Sequence, residues 1–270
     1  MSTVSAAFDQ AAAEGRAALV GYLPAGFPTV DGAIEAAVAM AGSGADVVEI
    51  GLPYSDPLMD GPVIQEATHR ALAGGTKVAD VLRTVEAVAT AGVPVLIMTY
   101  WNPVDHHGVD RFARELAEAG GAGLITPDLP PEEAGDWLAA SDAYGLDRVF
   151  LVAPSSSDER IALISGACRG FVYAASLMGT TGARASVGAA AAGLVTRVRE
   201  VTSLPVAVGL GVRDGGQAAE VAGFADGVIV GSAFVQRLLA AADAAAGLAA
   251  VRTLAAELAA GVRSRTPAVS

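Results

Sequence analysis

The sequence predicts an α/β chain folded as a closed (β/α)8 barrel, and three observations lead to that prediction. Short apolar runs rich in Val, Ile and Leu recur along the 270 residues. Each run is followed by Gly, Pro or Asp and then by an Ala-rich segment with helical periodicity. The runs are apolar on both faces, as in parallel strands covered by helices. Strand then helix, repeated eight times, is typical of the TIM barrel.

The predicted elements alternate from the first strand to the last. The predicted strands are 18–23, 45–51, 93–100, 122–127, 147–153, 170–176, 204–211 and 225–232. The predicted helical segments lie near 31–42, 63–73 with 77–91, 108–119, 131–143, 157–166, 189–202, 214–223 and 233–260. A short additional N-terminal helix is predicted before Leu19. Since no linker or composition shift divides the chain, we predict a single barrel domain over residues 1–270.

A doubly wound open sheet is the structural alternative. Such a sheet normally carries a Gly-rich dinucleotide turn after its first strand. The turn here reads "LPAGFPTVD" and lacks that pattern. In the nearest match, "VGLGVRDGG", Asp214 stands where the third Gly is needed. The turns therefore favour the closed barrel.

Composition excludes several classes of partner and fold. With 53% hydrophobic and 17% charged residues, the chain has ample material for a large core. A net charge of -12 disfavours nucleic acid and anionic membranes as partners. Cys168 is the single cysteine, so no intrachain disulfide forms and a reducing compartment is the simpler interpretation. The N-terminal segment lacks a basic n-region, and no apolar stretch of transmembrane length is free of Gly, Pro or charge. We expect a cytoplasmic chain.

Glu49 is the first candidate site residue. It lies in the strand "VVEIG", where it shares a face with Val47. A carboxylate in an apolar strand costs several kcal/mol unless it is protonated or paired. A raised pKa would allow a proton shuttle, and an interior ion pair with Arg or Lys is the structural alternative.

Two aspartates follow in the loop "YSDPLMDGP". Asp56 before Pro57 and Asp60 before Gly61 are both ordinary turn signals. In a (β/α)8 barrel, reacting groups come from strand ends and the loops after them. Asp60 could fold back over the barrel mouth, so that two carboxylates flank one substrate.

Glycines end the last three predicted strands, at "GTTGAR", "GLG" and "VGS". Their backbone N–H groups and a helix N-terminus could hold a phosphate without a Lys or Arg. Tight βα turns alone would also require glycine there. Their joint placement on strands six to eight, where barrels often bind phosphate, favours an anion site.

Other reactive side chains form no convincing site. The histidines of "DHHG" (105–108) are adjacent and point in different directions, and no second ligand cluster appears, so we predict no metal. No Ser or Cys has a visible base partner, and Cys168 is predicted to be structural.

Seven segments resemble one known family, the α subunit of tryptophan synthase. They are "GYLPAGFP", "GADVVEIGLPYSDPLMDGPVIQ", "YWNP", "PDLPPEE", "GTTGAR", "VAVGLGV" and "ADGVIVGSAFV". The resemblance covers almost the whole chain. It implies retro-aldol cleavage of indole-3-glycerol phosphate to indole and glyceraldehyde 3-phosphate, in L-tryptophan biosynthesis, with no cofactor in this chain.

The resemblance also implies roles for particular residues. Glu49 corresponds to the general acid/base, Asp60 to the second catalytic carboxylate, Thr181 to the lid threonine and Tyr173 to a residue beside the catalytic carboxylate. The implied phosphate-binding residues are Gly182, Gly211, Gly231 and Ser232. The implied indole pocket consists of Tyr22, Met98, Ile125 and Leu210.

The family implies a β subunit as partner, which carries pyridoxal phosphate, in an αββα heterotetramer. The implied interface residues are Pro53, Asp56, Pro57 and Asn102. The chain departs from the common family pattern at Tyr22 and Leu210, where Phe is frequent, at Met59, where a small residue is usual, and at Met178 in the lid. These departures concern packing of the pocket and closure of the lid.

Two other functions remain open at this point. One is a non-catalytic subunit that keeps the fold and activates its β partner. The other is a different phosphosugar barrel, such as an isomerase or epimerase, which would explain the glycines but would give the Asp60 loop no task.

Overall fold

The computed structural model describes residues 3–175 and 184–264, and the side chains from residue 188 onward in the second range. The strands are β1 (Ala18–Pro24), β2 (Val47–Gly51), β3 (Val95–Met98), β4 (Gly123–Thr126), β5 (Asp147–Val152), β6 (Val172–Ala175), β7 (Val206–Gly209) and β8 (Gly227–Val230). Each strand pairs in parallel with the next, and β8 pairs with β1, which closes the barrel. All eight predicted strands and the predicted fold are confirmed.

Helices surround the barrel and cover its outer face. They are α1 (Thr3–Ala13), α2 (Val30–Gly42), α3 (Pro62–Ala73), α4 (Val78–Thr90), α5 (Trp101–His107), α6 (Val109–Glu118), α7 (Gly135–Tyr144), α8 (Asp158–Ala167), α9 (Arg184–Arg199), α10 (Gly215–Ala222), α11 (Ser232–Leu239) and α12 (Ala244–Arg263). A 3-10 turn at Pro131–Glu133 precedes α7, where the sequence predicts a helix from 131.

The strands alternate between an inner and an outer apolar layer because successive side chains point to opposite faces. On β2, Val47 belongs to the inner cluster, whereas Val48 and Ile50 pack in the outer layer beneath the helices. Inner positions of other strands, such as Leu96 and Val149, fill the barrel centre. The barrel is therefore a packed core, and its open end lies above these side chains.

The predicted N-terminal helix is confirmed as α1, which covers one end of the barrel. Its buried face joins the inner cluster through Val4, Phe8 and Ala11. The rings of Phe8 and Phe171 lie 5.2 Å apart between centroids. Because α1 precedes the N-terminal end of β1, it closes the end opposite to the strand C-termini.

Two helical predictions need correction. The predicted helix 233–260 is two helices, because Asp243 caps a new helix by accepting a hydrogen bond from the Ala246 N–H at 2.8 Å. Helix α5 was not predicted. Its first N–H, on Trp101, donates to Asp128 Oδ1 at 2.9 Å, so this helix start depends on a residue beyond the next strand.

Within the described residues, α12 is the one helix long and apolar enough, by length and composition, to cross a membrane. Its buried side chains, among them Val251, Leu254 and Leu258, face the protein. It packs against α10, α11 and α2. This arrangement is that of a core helix covering the barrel.

Candidate active site

A cavity of about 270 Å³ opens at the C-terminal ends of the strands. The strands contribute Tyr22, Glu49, Met98, Tyr173, Gly209 and Ile229 to its wall; the segments after them contribute Met59, Asp60, Gly61, Ile64, Gly211, Gly231 and Ser232. Two carboxyl groups, two phenols and a glycine-rich wall thus meet in one cavity. This end of a (β/α)8 barrel is where the fold places its chemistry.

Glu49 lies on the floor of the cavity and is fully buried. It pairs in register with Tyr22 of β1 and Leu96 of β3. Within the described residues, neither of its carboxyl oxygens has a hydrogen-bond partner. Burial raises its pKa from 4.5 to about 8, so the group is mostly protonated at neutral pH. The alternative of an ion pair is not seen among the described residues, and Glu49 is free to exchange a proton with a ligand.

The loop after β2 carries Asp60 back over the barrel mouth. Its backbone N–H donates to the Pro57 carbonyl at 3.0 Å, and Gly61 and Pro62 then begin α3. Asp60 is half-buried, and burial raises its pKa from 3.8 to about 6. At neutral pH Asp60 is therefore mostly ionised while Glu49 is mostly protonated. Groups with such separated pKa values are suited to complementary acid and base roles.

Two tyrosine side chains complete the polar part of the wall. Burial, together with the charges of Asp60 and Glu49, raises the pKa of both Tyr22 and Tyr173, so both phenols stay protonated donors. A Cβ at position 209 would lie 2.6 Å from the Tyr173 hydroxyl oxygen. A Cβ at position 51 would likewise collide with the Tyr22 hydroxyl oxygen. The glycines there make room for the two phenols.

The opposite side of the cavity is suited to an anion. Gly211 has a φ of +69°, a left-handed conformation that glycine adopts without strain. Gly231 is the N-cap residue of α11, and Ser232 is the first residue of that helix. The first N–H groups of a helix have no intrahelical acceptor, and the helix dipole favours negative charge there. Gly211, Gly231 and Ser232 therefore meet at the cavity as the sequence predicts.

The cavity wall contains two of the four predicted indole-pocket residues, Tyr22 and Met98. Ile125 is fully buried in the inner cluster below the cavity. Leu210 packs in the outer layer, because Gly209 and Gly211 on either side of it face the cavity and the chain alternates. Neither residue is among the described residues that line the cavity.

Thr181, Gly182 and Met178 lie outside the described residues. The predicted interface residues lie around the loop and the start of α5. Pro53 is buried, Pro57 is half-buried, and Asp56 and Asn102 are exposed. Pro53 thus supports the loop from beneath, while the other three can contact a second protein.

Sequence reasoning missed two residues that touch the Asp60 loop. The Tyr100 hydroxyl accepts a hydrogen bond from the Met59 N–H at 2.8 Å. Gln65 Nε2, on α3, donates to the Asp60 carbonyl at 2.9 Å. The position of Tyr100 at the C-terminal end of the predicted strand 93–100 was a usable signal, whereas Gln65 on an exposed helical face offered none.

The described residues contain no group of three or more His, Cys, Asp or Glu side chains arranged to hold a metal ion. His107 Nε2 lies 2.7 Å from Glu115 Oε2, on the outer helices. Cys168 is buried, and burial raises the pKa of its thiol to about 12, as expected for an unreactive structural cysteine.

Fold and site together define a class: a (β/α)8 barrel with two carboxyl groups and a glycine-rich wall in a cavity at the C-terminal ends of its strands. Comparison with known proteins gives the particular family. The family model described as tryptophan synthase alpha chain matches residues 8–263. The chain belongs to the tryptophan synthase alpha chain family, which confirms the resemblance of the sequence motifs.

Curated relatives and solved structures agree with this assignment. The tryptophan synthase alpha chain of Salinispora tropica is 65% identical over 267 residues, covering 99% of this chain and 100% of the relative. That of Streptomyces coelicolor is 64% identical over 256 residues, covering 94% of each. A crystal structure of tryptophan synthase from M. tuberculosis matches with a TM-score of 0.89 and 54% identity, and the match covers 97% of this chain and 99% of that one. The crystal structure of tryptophan synthase subunit alpha from Legionella pneumophila matches with a TM-score of 0.88 and 34% identity, and the match covers 97% of this chain and 98% of that one.

Proposed function

We propose that this chain is a carbon–carbon lyase that cleaves indole-3-glycerol phosphate to indole and glyceraldehyde 3-phosphate. One observation carries the proposal: Glu49 and Asp60 line the same cavity, with pKa values of about 8 and about 6 on opposite sides of neutrality. The reaction needs one group that gives a proton and one that remains negative beside a developing positive charge. The two carboxyls supply both at pH 7.

Glu49 carries both proton transfers in this mechanism. An indole carbanion is a poor leaving group, so the protonated Glu49 first gives its proton to the ring carbon that bears the glycerol chain. The ring becomes a cationic indolenine, which can accept an electron pair. The Glu49 carboxylate then takes the proton of the adjacent glycerol hydroxyl. The carbon–carbon bond breaks, its electrons return to the ring, and Glu49 is again protonated.

Asp60 stabilises the intermediate. Its carboxylate accepts a hydrogen bond from the ring N–H, so its negative charge opposes the positive charge that develops on the ring. Since both proton transfers use Glu49, the proposed reaction uses no cofactor in this chain. Tyr173 supports the carboxylates, and Thr181 closes over them as a lid residue.

The rest of the substrate is assigned to the remaining wall. Gly182, Gly211, Gly231 and Ser232 bind the phosphate through backbone N–H groups and the α11 N-terminus. Tyr22 and Met98 contact the organic part of the substrate. This assignment explains how a chain with a net charge of -12 holds an anion, because the attraction is local.

We also infer a β subunit that carries pyridoxal phosphate and receives the indole, within an αββα assembly in the cytoplasm. The M. tuberculosis neighbour is a structure of tryptophan synthase. On this chain, the loop beside the cavity exposes Leu58 to 89% and Met59 to 55%. Exposed apolar side chains next to the polar Asp56 and Asn102 are suited to a protein interface.

The test is indole release from indole-3-glycerol phosphate by wild type, Glu49→Gln and Asp60→Asn, each with and without a β subunit. Glu49→Gln is expected to lower kcat by roughly 10²- to 10⁴-fold, as for loss of a general acid/base. Asp60→Asn is expected to lower kcat by roughly 10²- to 10³-fold, as for loss of electrostatic stabilisation. Glu35→Gln, on the exposed face of α2, serves as the matched control and should be unchanged.

Near-normal turnover by Glu49→Gln would overturn the acid/base role. A wild type that releases no indole from this substrate but stimulates the β subunit would instead support a non-catalytic activator. Turnover of another phosphosugar, without inhibition by indole analogues, would indicate the isomerase alternative.

A further inference from the structure

The loop that carries Asp60 is held from two directions by side chains outside it. From the end of β3, Tyr100 reaches the loop and its hydroxyl accepts a hydrogen bond from the Met59 N–H at 2.8 Å. The Tyr100 ring also packs against Tyr54 at the start of the loop, with centroids 5.2 Å apart. Tyr100 is 8% exposed, and its hydrogen bond to Met59 is partly buried.

Gln65, on the first turns of α3, holds the loop from the other direction. Its Nε2 donates to the Asp60 carbonyl at 2.9 Å and to the Pro57 carbonyl at 3.3 Å. Gln65 itself is exposed. Water competes for its exposed hydrogen bonds, so each contributes less than the partly buried bond of Tyr100.

The two anchors bracket the catalytic carboxylate along the chain. Tyr100 fixes the N–H of the residue before Asp60, and Gln65 fixes the carbonyl of Asp60 itself. The Cα atoms of Met59 and Asp60 both lie between these two hydrogen-bonded groups, so the two bonds restrain the backbone on both sides of the Asp60 side chain. Binding at two peptide groups thus sets where the carboxylate stands relative to Glu49.

We propose that Tyr100 and Gln65 are positioning residues for Asp60, acting as a two-sided clamp on its backbone that holds the carboxylate in place for the reaction. The clamp lies outside the described lining of the cavity, so it acts on the substrate only through Asp60. The inference rests on the proposed function for its catalytic consequence, but the clamp itself is measurable without catalysis.

The experiment compares Tyr100→Phe, Gln65→Met and the double variant with wild type, using indole-3-glycerol phosphate and the full chain with a β subunit. A small displacement of a catalytic group is costly, so Tyr100→Phe should lower kcat roughly tenfold with little change in KM. Gln65→Met should lower it roughly threefold, because its bonds are exposed. In an Asp60→Asn background neither substitution should lower kcat further, since their effect passes through Asp60.

A pH profile separates positioning from general destabilisation. The titratable groups facing Asp60 across the cavity are Glu49, Tyr22 and Tyr173, with Tyr100 behind the loop. The phenols do not titrate near neutrality. A loosened loop admits water to Asp60, so its pKa falls from about 6 toward 3.8. The acidic limb of kcat/KM should therefore move to lower pH in Tyr100→Phe.

Two matched controls remove the same chemical group elsewhere. Tyr144→Phe deletes a hydroxyl that donates to Asp110 at 3.1 Å on the outer surface. Gln10→Met, on α1, deletes a side-chain amide whose Nε2 donates to Glu14 Oε1 at 3.2 Å. Both should leave kcat and the pH profile unchanged.

Hydrogen exchange of the Met59 amide supplies the readout that does not depend on turnover. Exchange should accelerate at least several-fold in Tyr100→Phe and stay at the wild-type rate in Tyr144→Phe. Unchanged exchange, or normal kcat in both clamp variants while Asp60→Asn is slow, would overturn the clamp and leave the proposed function standing. A wild type without turnover would instead overturn the proposed function, and the exchange data would still decide on the clamp.

Discussion

Replacing Glu49 by Gln should make the protein harder to unfold at alkaline pH, although the variant loses its acid/base group. Glu49 is fully buried, and burial raises its pKa from 4.5 to about 8. A carboxyl with a raised pKa binds its proton more tightly in the folded chain than in the unfolded chain. The stability associated with that proton is complete below pH 4.5 and is lost as the pH rises through 8.

The size of the effect follows from the same two pKa values. Each pKa unit corresponds to ~1.36 kcal/mol, so the ionised carboxylate costs the folded state at most roughly 5 kcal/mol above pH 8. At pH 5 the loss is only ~1 kcal/mol, because this pH lies just above the pKa of 4.5 that the carboxyl has in the unfolded chain. Gln has nearly the same shape and does not titrate, so any cost of burying its amide is the same at every pH.

The assay is urea unfolding of wild type and Glu49→Gln at pH 5, 7 and 9, followed by circular dichroism. Between pH 5 and pH 9 the free energy of unfolding should shift by up to roughly 4 kcal/mol in favour of Glu49→Gln. Glu35→Gln, at an exposed position on α2, should follow wild type at every pH. If the wild-type and Glu49→Gln stabilities run parallel across this range, burial does not hold the proton on Glu49 and the reasoning fails.

Three further predictions test the site and its scaffold. The pH dependence of kcat/KM should be bell-shaped, since activity needs Asp60 ionised and Glu49 protonated. The limbs should lie at about 6 and about 8, so kcat/KM should fall about tenfold by pH 5 and by pH 9. A flat profile over that range would contradict this assignment. Tyr22→Phe should raise the KM for indole-3-glycerol phosphate roughly 3- to 10-fold, because Tyr22 lines the cavity and its hydroxyl can bind the substrate. An unchanged KM would place that hydroxyl away from the substrate. Asp46→Ala should lower the free energy of unfolding by about 3 kcal/mol, because the Asp46 carboxylate accepts hydrogen bonds of 2.7 and 2.9 Å from the guanidinium of the buried Arg16. A loss below ~1 kcal/mol in urea unfolding would show that Arg16 finds other partners.

The strands were predictable because the information that specifies them is local. Runs such as "ADVVEIG" are apolar on both faces, and only a strand covered on both sides can bury them. The same local pattern singled out Glu49, since a carboxylate inside such a run must be neutralised or used. The resemblance of the quoted motifs to one known family then indicated that family, and the family comparison confirms it.

The two errors in the helices have different causes, one non-local and one local. Helix α5 begins where Asp128, from beyond the next strand, accepts the Trp101 N–H. No sequence window around Trp101 contains that acceptor. The break between α11 and α12, in contrast, has a local signal in Asp243, an N-cap residue within an Ala-rich run.

The sequence by itself determined the eightfold order of strands, the two carboxylates and the glycine turns, because each depends on residue types at short spacing. Only the tertiary structure decided which side chains reach the cavity and which hold it in place. Ile125 lies in the inner layer below the cavity and Leu210 in the outer layer, because alternation and layering set the direction of each side chain. Tyr100 and Gln65 hold the Asp60 loop because closure of the barrel brings separate elements within hydrogen-bond distance. The protonation states follow from the same closure, since burial raises the pKa of Glu49 and Asp60 and burial exists only in the folded chain.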